Sequence, residues 1–284
     1  MTLQQALQSA TRQLAEDAQL RDTARRDAES LMLHILDISR AALLSHPART
    51  LTPVALHRYQ ALIDRRSRHE PIQYITGTQE FYGLPLHVTS AVLIPRPETE
   101  HLVEAVLERV LHDRPLEIAD IGTGSGAIAI ALALHLPYAR LTALDLSPTA
   151  LEVAQTNAST LNASPRIRFA LSDLLDSLPP EQKLQYFDAI VSNPPYVPLA
   201  DAAGLHPQVR DHEPASALFA GDDGLDVYRR LIPQAHAALK PGGLLALEIG
   251  HGQRDALAEL LSGWSEIGFV DDLQAIPRVT LARK

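Results

Sequence analysis

The chain has 284 residues, a formal net charge of −9 and no cysteine. This negative charge argues against a protein that grips long nucleic acid, because binding to phosphates needs a basic surface. The absence of cysteine excludes disulfides and cysteine-based metal sites. No apolar run approaches the roughly 18 to 20 residues of a membrane span. The first ten residues lack the charged start and apolar middle of a signal peptide, so we expect a cytoplasmic protein without a membrane segment.

The first 70 residues are predicted to form a small helical bundle. Apolar residues recur at helical spacing over residues 3–14 and again over residues 28–38. Thr52 followed by Pro53 is typical of an N-cap and the first position of a helix. We therefore expect residues 1–70 to be a separate helical domain.

A different pattern follows in residues 71–90. Between residues 73 and 88, Tyr, Ile, Phe and Val alternate with polar residues and with Gly77 and Gly83, which indicates a β-hairpin that connects two domains. Residues 1–90 carry ten Arg, no Lys and nine acidic residues. The negative charge of the chain therefore lies almost entirely in residues 91–284.

From about residue 97, helices and strands alternate, which indicates an α/β domain over residues 91–284. Such alternation predicts a mostly parallel sheet with helices on both faces. Segments near 267–270 and 278–282 are predicted to close one edge as an antiparallel pair. The predicted helices are 97–112, 125–135 and one beginning at Pro148 with Ser147 as its cap, and the predicted strands are 116–121, 140–144, 167–171, 187–192 and 243–249.

The first strand of this domain runs into a glycine-rich loop. Gly122, Gly124 and Gly126 let the backbone turn tightly and approach a ligand closely, beside the positive end of the following helix. Asp145 ends the second strand, where a carboxylate can accept hydrogen bonds from both hydroxyls of a ribose. Because Gly122, Gly124 and Ala127 also satisfy the dinucleotide-binding fingerprint, glycine spacing alone leaves an NAD oxidoreductase open.

The fourth strand ends abruptly in Asn193-Pro194-Pro195-Tyr196. Two successive prolines cannot donate backbone hydrogen bonds, so this segment leaves the sheet with free carbonyl groups and nearly fixed dihedral angles. Parallel strands bring it to the same carboxyl edge as the glycine loop. The tetrapeptide therefore presents hydrogen-bond acceptors that are held still beside a candidate nucleotide site.

Together these two motifs resemble those of class I S-adenosylmethionine-dependent methyltransferases that modify planar amino groups, whose signature is (N/D)-P-P-(Y/F). A narrower resemblance rests on six motifs along the chain, which are Gln73–Gly77, Phe81–Gly83, Leu93–Glu100, Asp120–Gly126, Val191–Tyr196 and Val209–Pro214. In these motifs the chain resembles the peptide chain release factor N5-glutamine methyltransferases, and the resemblance covers almost the whole chain, including the helical module. One departure is Ala275, where that family commonly has glycine.

The resemblance implies a class I methyltransferase fold, S-adenosylmethionine as cofactor and the glutamine of the Gly-Gly-Gln motif of release factors as substrate. The helical module is then expected to dock the factor. Asp173 and Leu174 fall where the family contacts the adenine. The implied catalytic residues are Asn193, Pro194 and Tyr196, and the implied substrate site is Asn193, Pro194, Pro195 and Tyr196. The implied cofactor residues are Gly122, Thr123, Gly124, Ser125, Gly126, Asp145, Asp173, Leu174 and Asn193.

The tetrapeptide suits methylation of an amide nitrogen. Methyl transfer from a sulfonium is an in-line displacement, so alignment of the nucleophile is most of the task. The Asn193 side-chain oxygen and the Pro194 carbonyl can accept the two N–H bonds of a planar amino group and favour positive charge as it develops. Tyr196 offers a flat face on which an amide or a base can lie. Asn193 cannot act as a base, so we assign no general base and expect the proton to pass to water.

The main alternative is an adenine-N6 methyltransferase on DNA or RNA, because an exocyclic amine presents the same two N–H bonds. No basic target-recognition segment supports it. A cofactor-binding module without catalysis and an NAD oxidoreductase leave Asn193 without a role. We expect release factors as partners, no stable nucleic-acid binding, a monomer and no metal site. We also expect Glu213 to form an ion pair with Arg210, and Arg96 to brace the entrance of the active site.

Overall fold

A computed structural model describes residues 1–284. The chain divides into two compact units, which we call the helical unit and the sheet unit. The helical unit comprises Met1–Gly77 and Leu205–His212, and the sheet unit comprises Thr78–Gly204 and Glu213–Lys284. Residues 205–212 thus group with the helical unit although their neighbours in the chain on both sides belong to the sheet unit. None of the helices combines the length and apolar character that crossing a bilayer requires.

The N-terminal part of the helical unit is a set of five helices. The predicted cap at Thr52 is confirmed, because its hydroxyl accepts a hydrogen bond from the Ala55 amide at 3.2 Å and Pro53 begins the helix. Thr2 forms a reciprocal capping box with Gln5 at the start of the first helix. The helices are α1 (Leu3–Ala15), α2 (Ala24–Leu36), α3 (Arg40–Ser45), α4 (Pro53–Arg66) and α5 (Ile72–Thr76).

The core of the helical unit contains both apolar contacts and a buried ion pair. In the predicted stripe of α1, Leu3, Ala6, Ala10 and Leu14 are buried and Leu7 is partly buried. Leu31 and Met32 of α2 are buried as well. The Tyr59 hydroxyl of α4 donates to the carbonyl of Ala28 at 2.9 Å. Arg66 Nε lies 2.8 Å from Asp27 Oδ2, and both side chains are almost inaccessible. Removing either charge would leave the other unpaired in the interior, so this pair ties α2 to α4.

Residues 72–76 form the helix α5, whereas the sequence pattern predicted the hairpin to begin at Gln73. Pro71 precedes the first helical residue, and Gly77 follows the last with φ 78°. This left-handed glycine ends the helix because its amide donates to the Gln73 carbonyl at 2.8 Å. The hairpin itself is shorter than predicted and belongs to the sheet unit.

The sheet unit contains nine strands and five helices. The strands are β1 (Thr78–Phe81), β2 (Leu84–His87), β3 (Leu116–Ile121), β4 (Ala139–Asp145), β5 (Ile167–Leu171), β6 (Phe187–Ser192), β7 (Leu239–Glu248), β8 (Ser265–Asp271) and β9 (Pro277–Arg283). The helices are α6 (Glu100–Leu107), α7 (Ala127–His135), α8 (Pro148–Thr160), α10 (Asp226–Ala238) and α11 (Arg254–Leu260), while α9 (Pro207–Arg210) belongs to the helical unit.

Strands β3 to β9 form one seven-stranded sheet in the order β5-β4-β3-β6-β7-β9-β8. The pairs from β5 to β7 are parallel, and β9 is antiparallel to both β7 and β8. The prediction of a mostly parallel sheet with an antiparallel edge is therefore confirmed. Successive strands are added on one side of β3 as far as β5 and then on its other side from β6 onward. The carboxyl ends of the strands at such a switch point form a crevice that suits ligand binding.

Several boundaries in the sheet unit differ from the predicted ones, and three of them have a clear local feature. The predicted helix 97–112 is a 3-10 turn over Pro97–Thr99 followed by α6, which ends at Leu107. Helix α7 begins at Ala127, because Gly126 has φ 82° and cannot be helical. Strand β7 begins at Leu239, with an irregularity in its pairing to β6, so the predicted turn before residue 243 lies inside the strand.

Ala275 has a left-handed backbone with φ 58° in the turn between β8 and β9. Asp272 holds this turn, since its carboxylate accepts from the amides of Gln274 at 2.8 Å and Ile276 at 3.1 Å. Side chains other than glycine pay roughly 1–2 kcal/mol for this conformation. The turn thus keeps the shape that glycine would favour, at a cost in stability.

We expect Ala275→Gly to raise the free energy of unfolding by about 0.5–1 kcal/mol, because relief of strain exceeds the extra entropy of glycine in the unfolded chain. Chemical denaturation measures this change. The matched control is Ala256→Gly in α11, which should lower stability by about 1 kcal/mol because its backbone is helical. A loss of stability in both variants would contradict the prediction.

Candidate active site

The glycine loop lies between β3 and α7 and contains three left-handed residues. Gly122, Gly124 and Gly126 have φ of 71°, 55° and 82°. A Cβ on Gly126 would lie 3.0 Å from Ile130 Cδ1 and 3.2 Å from Ala154 Cβ, whereas a Cβ on Gly122 would meet no atom within 4 Å. Gly126 therefore allows close packing of α7 on α8, and Gly122 and Gly124 leave open space beside the loop.

Two polar side chains fix the shape of this loop. The Thr123 hydroxyl donates to Asp120 Oδ2 at 2.7 Å. The buried Asn157 amide donates to the Ser125 carbonyl at 2.9 Å and also pairs with both backbone groups of His87. Thr123 and Ser125 are themselves buried. The loop is therefore rigid before any ligand binds.

Asp120 is a residue that sequence reasoning assigned no role. Its side chain is fully buried in β3, and it accepts from the Ala129 amide at 3.2 Å in addition to Thr123. Burial raises its pKa to about 7. Its Oδ1 atom has no hydrogen-bond partner. The signal in the sequence was an acidic residue next to the last position of a mostly apolar strand, immediately before the glycine loop.

Asp145 stands at the end of β4 and faces the glycine loop. Its Oδ2 accepts from the Gly124 amide at 2.8 Å, and its Oδ1 accepts from the Ser147 amide at 2.9 Å. Burial raises the pKa of this carboxyl above its ordinary value. Each carboxylate oxygen can accept more than one hydrogen bond, so Asp145 holds the loop and still offers acceptors to a ligand.

Asp173 and Leu174 follow β5 and line the same cavity as the glycine loop. Asp173 Oδ2 accepts from Arg230 Nη2 at 2.7 Å. Arg230 comes from α10 and also lines the cavity, which sequence reasoning did not anticipate. The cavity has a volume of about 380 Å³. It brings together the carboxyl ends of the four strands β3, β4, β5 and β6, as the edge of a parallel sheet predicts.

The register between β3 and β6 places Asn193 beside the glycine loop. Ile121 is paired with Ser192, and the Ser192 hydroxyl donates to the Ile121 carbonyl at 2.6 Å. Gly122 and Asn193 are the next residues of the two strands. Asn193 Nδ2 donates to the Thr99 hydroxyl at 3.1 Å, so its oxygen Oδ1 is turned away from Thr99. The amide thus has a defined orientation at the cavity.

The rest of the tetrapeptide is divided between the cavity and the interior. Pro195 lines the cavity, and Pro194 is buried. The Tyr196 hydroxyl donates to Glu248 Oε1 at 3.3 Å, and burial raises the pKa of Tyr196. Its carbonyl accepts from Gln253 Nε2 at 3.0 Å. Tyr196 is therefore held by its polar groups at the end of β7.

Glu248 ends β7, and sequence reasoning assigned it no role. Its side chain is buried and Tyr228 donates to its backbone carbonyl at 2.7 Å. Burial raises its pKa to about 7. The available signal was an acidic residue that ends the apolar run 244–247. Nothing in the sequence indicated a role for Thr99, because its hydrogen-bond partner Asn193 is 94 residues away in the chain.

The predicted ion pair between Glu213 and Arg210 is wrong. Arg210 lies on the surface of the helical unit and pairs with its neighbour Asp211 at 2.7 Å. Glu213 belongs to the sheet unit, where its buried carboxylate accepts from Arg96 Nη2 at 2.5 Å and from the Ile94 amide at 3.2 Å. A buried carboxylate needs fixed donors, and these lie in the segment 94–96.

Known proteins share both parts of this architecture. Residues 5–77 match the family model described as PrmC N-terminal domain, and residues 98–204 match the Methyltransferase small domain. A release factor glutamine methyltransferase of Koribacter versatilis is 46% identical over 100% of this chain and 99% of its own length. A second, of Moorella thermoacetica, is 49% identical over 92% of this chain and 89% of its own length.

Solved structures share the fold at low sequence identity. The hMettl16 catalytic domain, in complex with MAT2A 3′UTR hairpin 6, superposes with a TM-score of 0.56 at 19% identity and covers 77% of this chain and 81% of its own. A methyltransferase from Pyrococcus furiosus gives a TM-score of 0.51 at 18% identity, with 79% and 97% coverage. At these identities the likeness shows the fold alone.

The buried carboxyl of Asp120 gives a pH-dependent prediction. Because its pKa rises from the ordinary value of 3.8 to about 7 in the folded chain, the folded state keeps a proton that the unfolded state releases. Ionisation of Asp120 therefore opposes folding as the pH rises from about 4 to about 7. Asp120→Asn, which retains an acceptor for Thr123 and Ala129, should become steadily more stable relative to the unaltered protein across this window.

The difference in unfolding free energy should grow by up to about 1.4 kcal/mol per pH unit. Chemical denaturation of both proteins at pH 4.5, 5.5, 6.5 and 7.5 measures it. The comparison isolates Asp120, because all other titrating groups are common to both proteins. A difference that stays constant with pH would show that Asp120 titrates normally.

Proposed function

This chain belongs to the release factor glutamine methyltransferase family, and from that premise we propose that it methylates the side-chain amide nitrogen of the glutamine in the Gly-Gly-Gln motif of peptide chain release factors. The observation that carries the proposal is the oriented amide of Asn193 at the mouth of a glycine-lined cavity. Such an amide offers an oxygen acceptor, as a substrate –NH2 group requires.

We propose S-adenosylmethionine as the methyl donor, and the cavity residues fit it. Gly122 and Gly124 leave open space on the cavity side of the loop, so that a ligand can approach the backbone. Asp145 offers carboxylate oxygens for ribose hydroxyls, and Asp173 and Leu174 flank the proposed adenine position. Thr123, Ser125 and Gly126 keep the loop in shape. When bound, the cofactor supplies an electrophilic methyl group on a cationic sulfonium.

The residues of the tetrapeptide would hold the substrate amide in line for attack. An amide nitrogen is a weak nucleophile because its lone pair is delocalised into the carbonyl. Asn193 Oδ1 and the Pro194 carbonyl would accept its two N–H bonds and stabilise the positive charge that develops on nitrogen. Pro195 and Tyr196 would shape the remaining surface of the substrate site. Asn193 has no basic atom, so the proton would leave to water.

The helical unit is the proposed docking module for the release factor. Its first 77 residues carry ten Arg and eight acidic residues, so the unit is nearly neutral and lacks the basic surface that a nucleic-acid site would need. A folded protein is therefore the partner that it suits. We further propose that the enzyme is monomeric and acts in the cytoplasm.

A labelling experiment tests the proposed function. The protein is incubated with methyl-labelled S-adenosylmethionine and either a purified release factor, the same factor with its Gly-Gly-Gln glutamine changed to alanine, or bare DNA and RNA. We expect label on the unaltered factor alone, at the glutamine. Label on the nucleic acid with none on the factor would support an adenine-N6 methyltransferase and overturn the proposal.

Substitution of Asn193 tests the role of its oxygen. Asn193→Ala should lower kcat by about 10²-fold, the scale expected when one preorganised polar contact to a transition state is removed. Asn193→Asp keeps an acceptor of similar shape and should retain more activity than the alanine variant. Steady-state rates and calorimetric affinity for S-adenosylmethionine are measured together, because the Asn193 backbone also borders the cavity. An alanine variant with unchanged rate and affinity would remove Asn193 from the mechanism.

A further inference from the structure

Gln253 is a partly buried residue between β7 and α11 whose side chain ties three loops together. Its Nε2 donates to the Tyr196 carbonyl at 3.0 Å and to the Gly224 carbonyl at 3.3 Å, and its Oε1 accepts from the Gly250 amide at 2.9 Å. Turned over, the side-chain amide would set its oxygen against two carbonyls, so the backbone fixes its orientation. Gln253 does not line the cavity, so these contacts give it an indirect role.

Two glycines let the loops approach Tyr196 closely. A Cβ on Gly224 would collide with the Tyr196 carbonyl. A Cβ on Gly250 would lie 2.9 Å from Gln253 Oε1 and 3.0 Å from Cδ2 of the Tyr196 ring. The loop before α10 and the loop after β7 therefore both pack against the last residue of the tetrapeptide, and Gln253 joins them there by hydrogen bonds.

The Asn193-Pro194-Pro195 segment is stiff, but its prolines alone do not hold it in place. Each proline fixes its own φ and confines the residue before it to extended backbone. Asn193 and Pro194 both precede a proline, so the first torsion angle that can turn freely on the way to Tyr196 is ψ of Pro195. The segment therefore moves as one body, and its position depends on how its two ends are held.

The far end of the segment is held at the peptide group that joins Tyr196 to Val197. The Val197 N–H donates to the Leu218 carbonyl at 2.9 Å, and the Tyr196 carbonyl accepts from Gln253. A peptide group is planar, so one hydrogen bond leaves the plane free to rotate, whereas bonds at its opposite edges fix it. Gln253 supplies the second of these two bonds.

We propose that Gln253 is a positioning residue that keeps the Asn193-Pro194-Pro195 segment aligned for methyl transfer. The inference rests on the proposed function, because the groups that it aligns are the Asn193 oxygen and the Pro194 carbonyl. Without the bond from Gln253, the Tyr196 peptide group can rotate and the stiff segment can swing at that end. The two acceptors would then meet the substrate nitrogen out of line.

Single variants test the role of the donated hydrogen bonds in steady-state assays with a release factor and S-adenosylmethionine. Gln253→Met has a similar length without polar hydrogens and should lower kcat by about 10-fold, less than the roughly 10²-fold cost of a 1 Å misplacement because the Val197 bond remains. Calorimetric affinity for S-adenosylmethionine should stay within about twofold. Gln253→Glu keeps the acceptor for the Gly250 amide but not the donors, and should lose at least as much rate.

The matched control is Gln182→Glu, which makes the same change in a glutamine whose partner is Arg168, near the amino end of β5. The amino ends of the parallel strands lie away from the cavity, so this variant should keep the kcat of the unaltered enzyme. Equal losses in Gln182→Glu and Gln253→Glu would show that the added charge is responsible and would overturn the proposal.

A double variant separates positioning from general loosening of the fold. Asn193→Ala leaves no side-chain oxygen to align, so in that background the cost of Gln253→Met should shrink from about 10-fold to about threefold. The same 10-fold cost in both backgrounds, or an unchanged kcat in Gln253→Met, would overturn the proposal. If Gln253→Met fails to fold, Gln253→Glu in the same two backgrounds decides. Failure of the unaltered enzyme to methylate any release factor would instead refute the proposed function.

Discussion

The parallel pairing of β3 with β6 is the constraint on which the candidate active site depends. It sets Ile121 opposite Ser192, and the Ser192 hydroxyl locks this register by donating to the Ile121 carbonyl at 2.6 Å. Gly122 and Asn193 consequently leave the sheet side by side. A slip of one residue would turn the side chains of the strand to the opposite faces of the sheet and remove Asn193 from the cavity. The chemistry proposed for Asn193 thus depends on backbone pairing.

The buried acids of the chain differ in whether a basic side chain compensates their charge. In the helical unit Asp27 is paired with Arg66 at 2.8 Å, so its charge is compensated within the protein. At the carboxyl edge of the sheet, burial raises the pKa of Asp120, Asp145 and Glu248. Such acids destabilise the fold when ionised, and their field favours a cationic ligand nearby. A sulfonium cofactor would supply that cation, in keeping with the proposed function.

Local signals predicted much of the fold and part of the site. The cap at Thr52 and the strand over residues 187–192 depend on neighbouring residues in the sequence, and both stand as predicted. The short helix over residues 72–76 was missed, because Pro71 and Gly77 are as typical of the ends of a β-hairpin as of the ends of a helix. The partner of Glu213 was assigned to a nearby Arg210, whereas the structure brings Arg96 from more than a hundred residues away.

The hydrogen-bond partner of the Asn193 side chain could not be predicted either, because it is also distant in the sequence. Asn193 and its hydrogen-bond partner Thr99 are 94 residues apart in the sequence, and only the folded chain brings them together. A single sequence shows residue types and spacing, but not which distant polar groups form hydrogen bonds with one another. The direction of the Asn193 amide is set by such a bond. The placement of the candidate site residues at one edge of the sheet was therefore predictable, and the groups that orient them were not.

The two prolines matter because the chain on either side of them is also fixed. Before them, Ser192 is tied to β3. After them, Gln253 donates to the Tyr196 carbonyl at 3.0 Å, and a Cβ on Gly224 would lie 2.2 Å from that oxygen, so only glycine allows the approach. Orientation alone can supply roughly 7–11 kcal/mol of a reaction barrier, provided that the reacting groups are held in place. A tetrapeptide whose two prolines have fixed φ angles and whose ends are both anchored meets that condition before the substrate arrives.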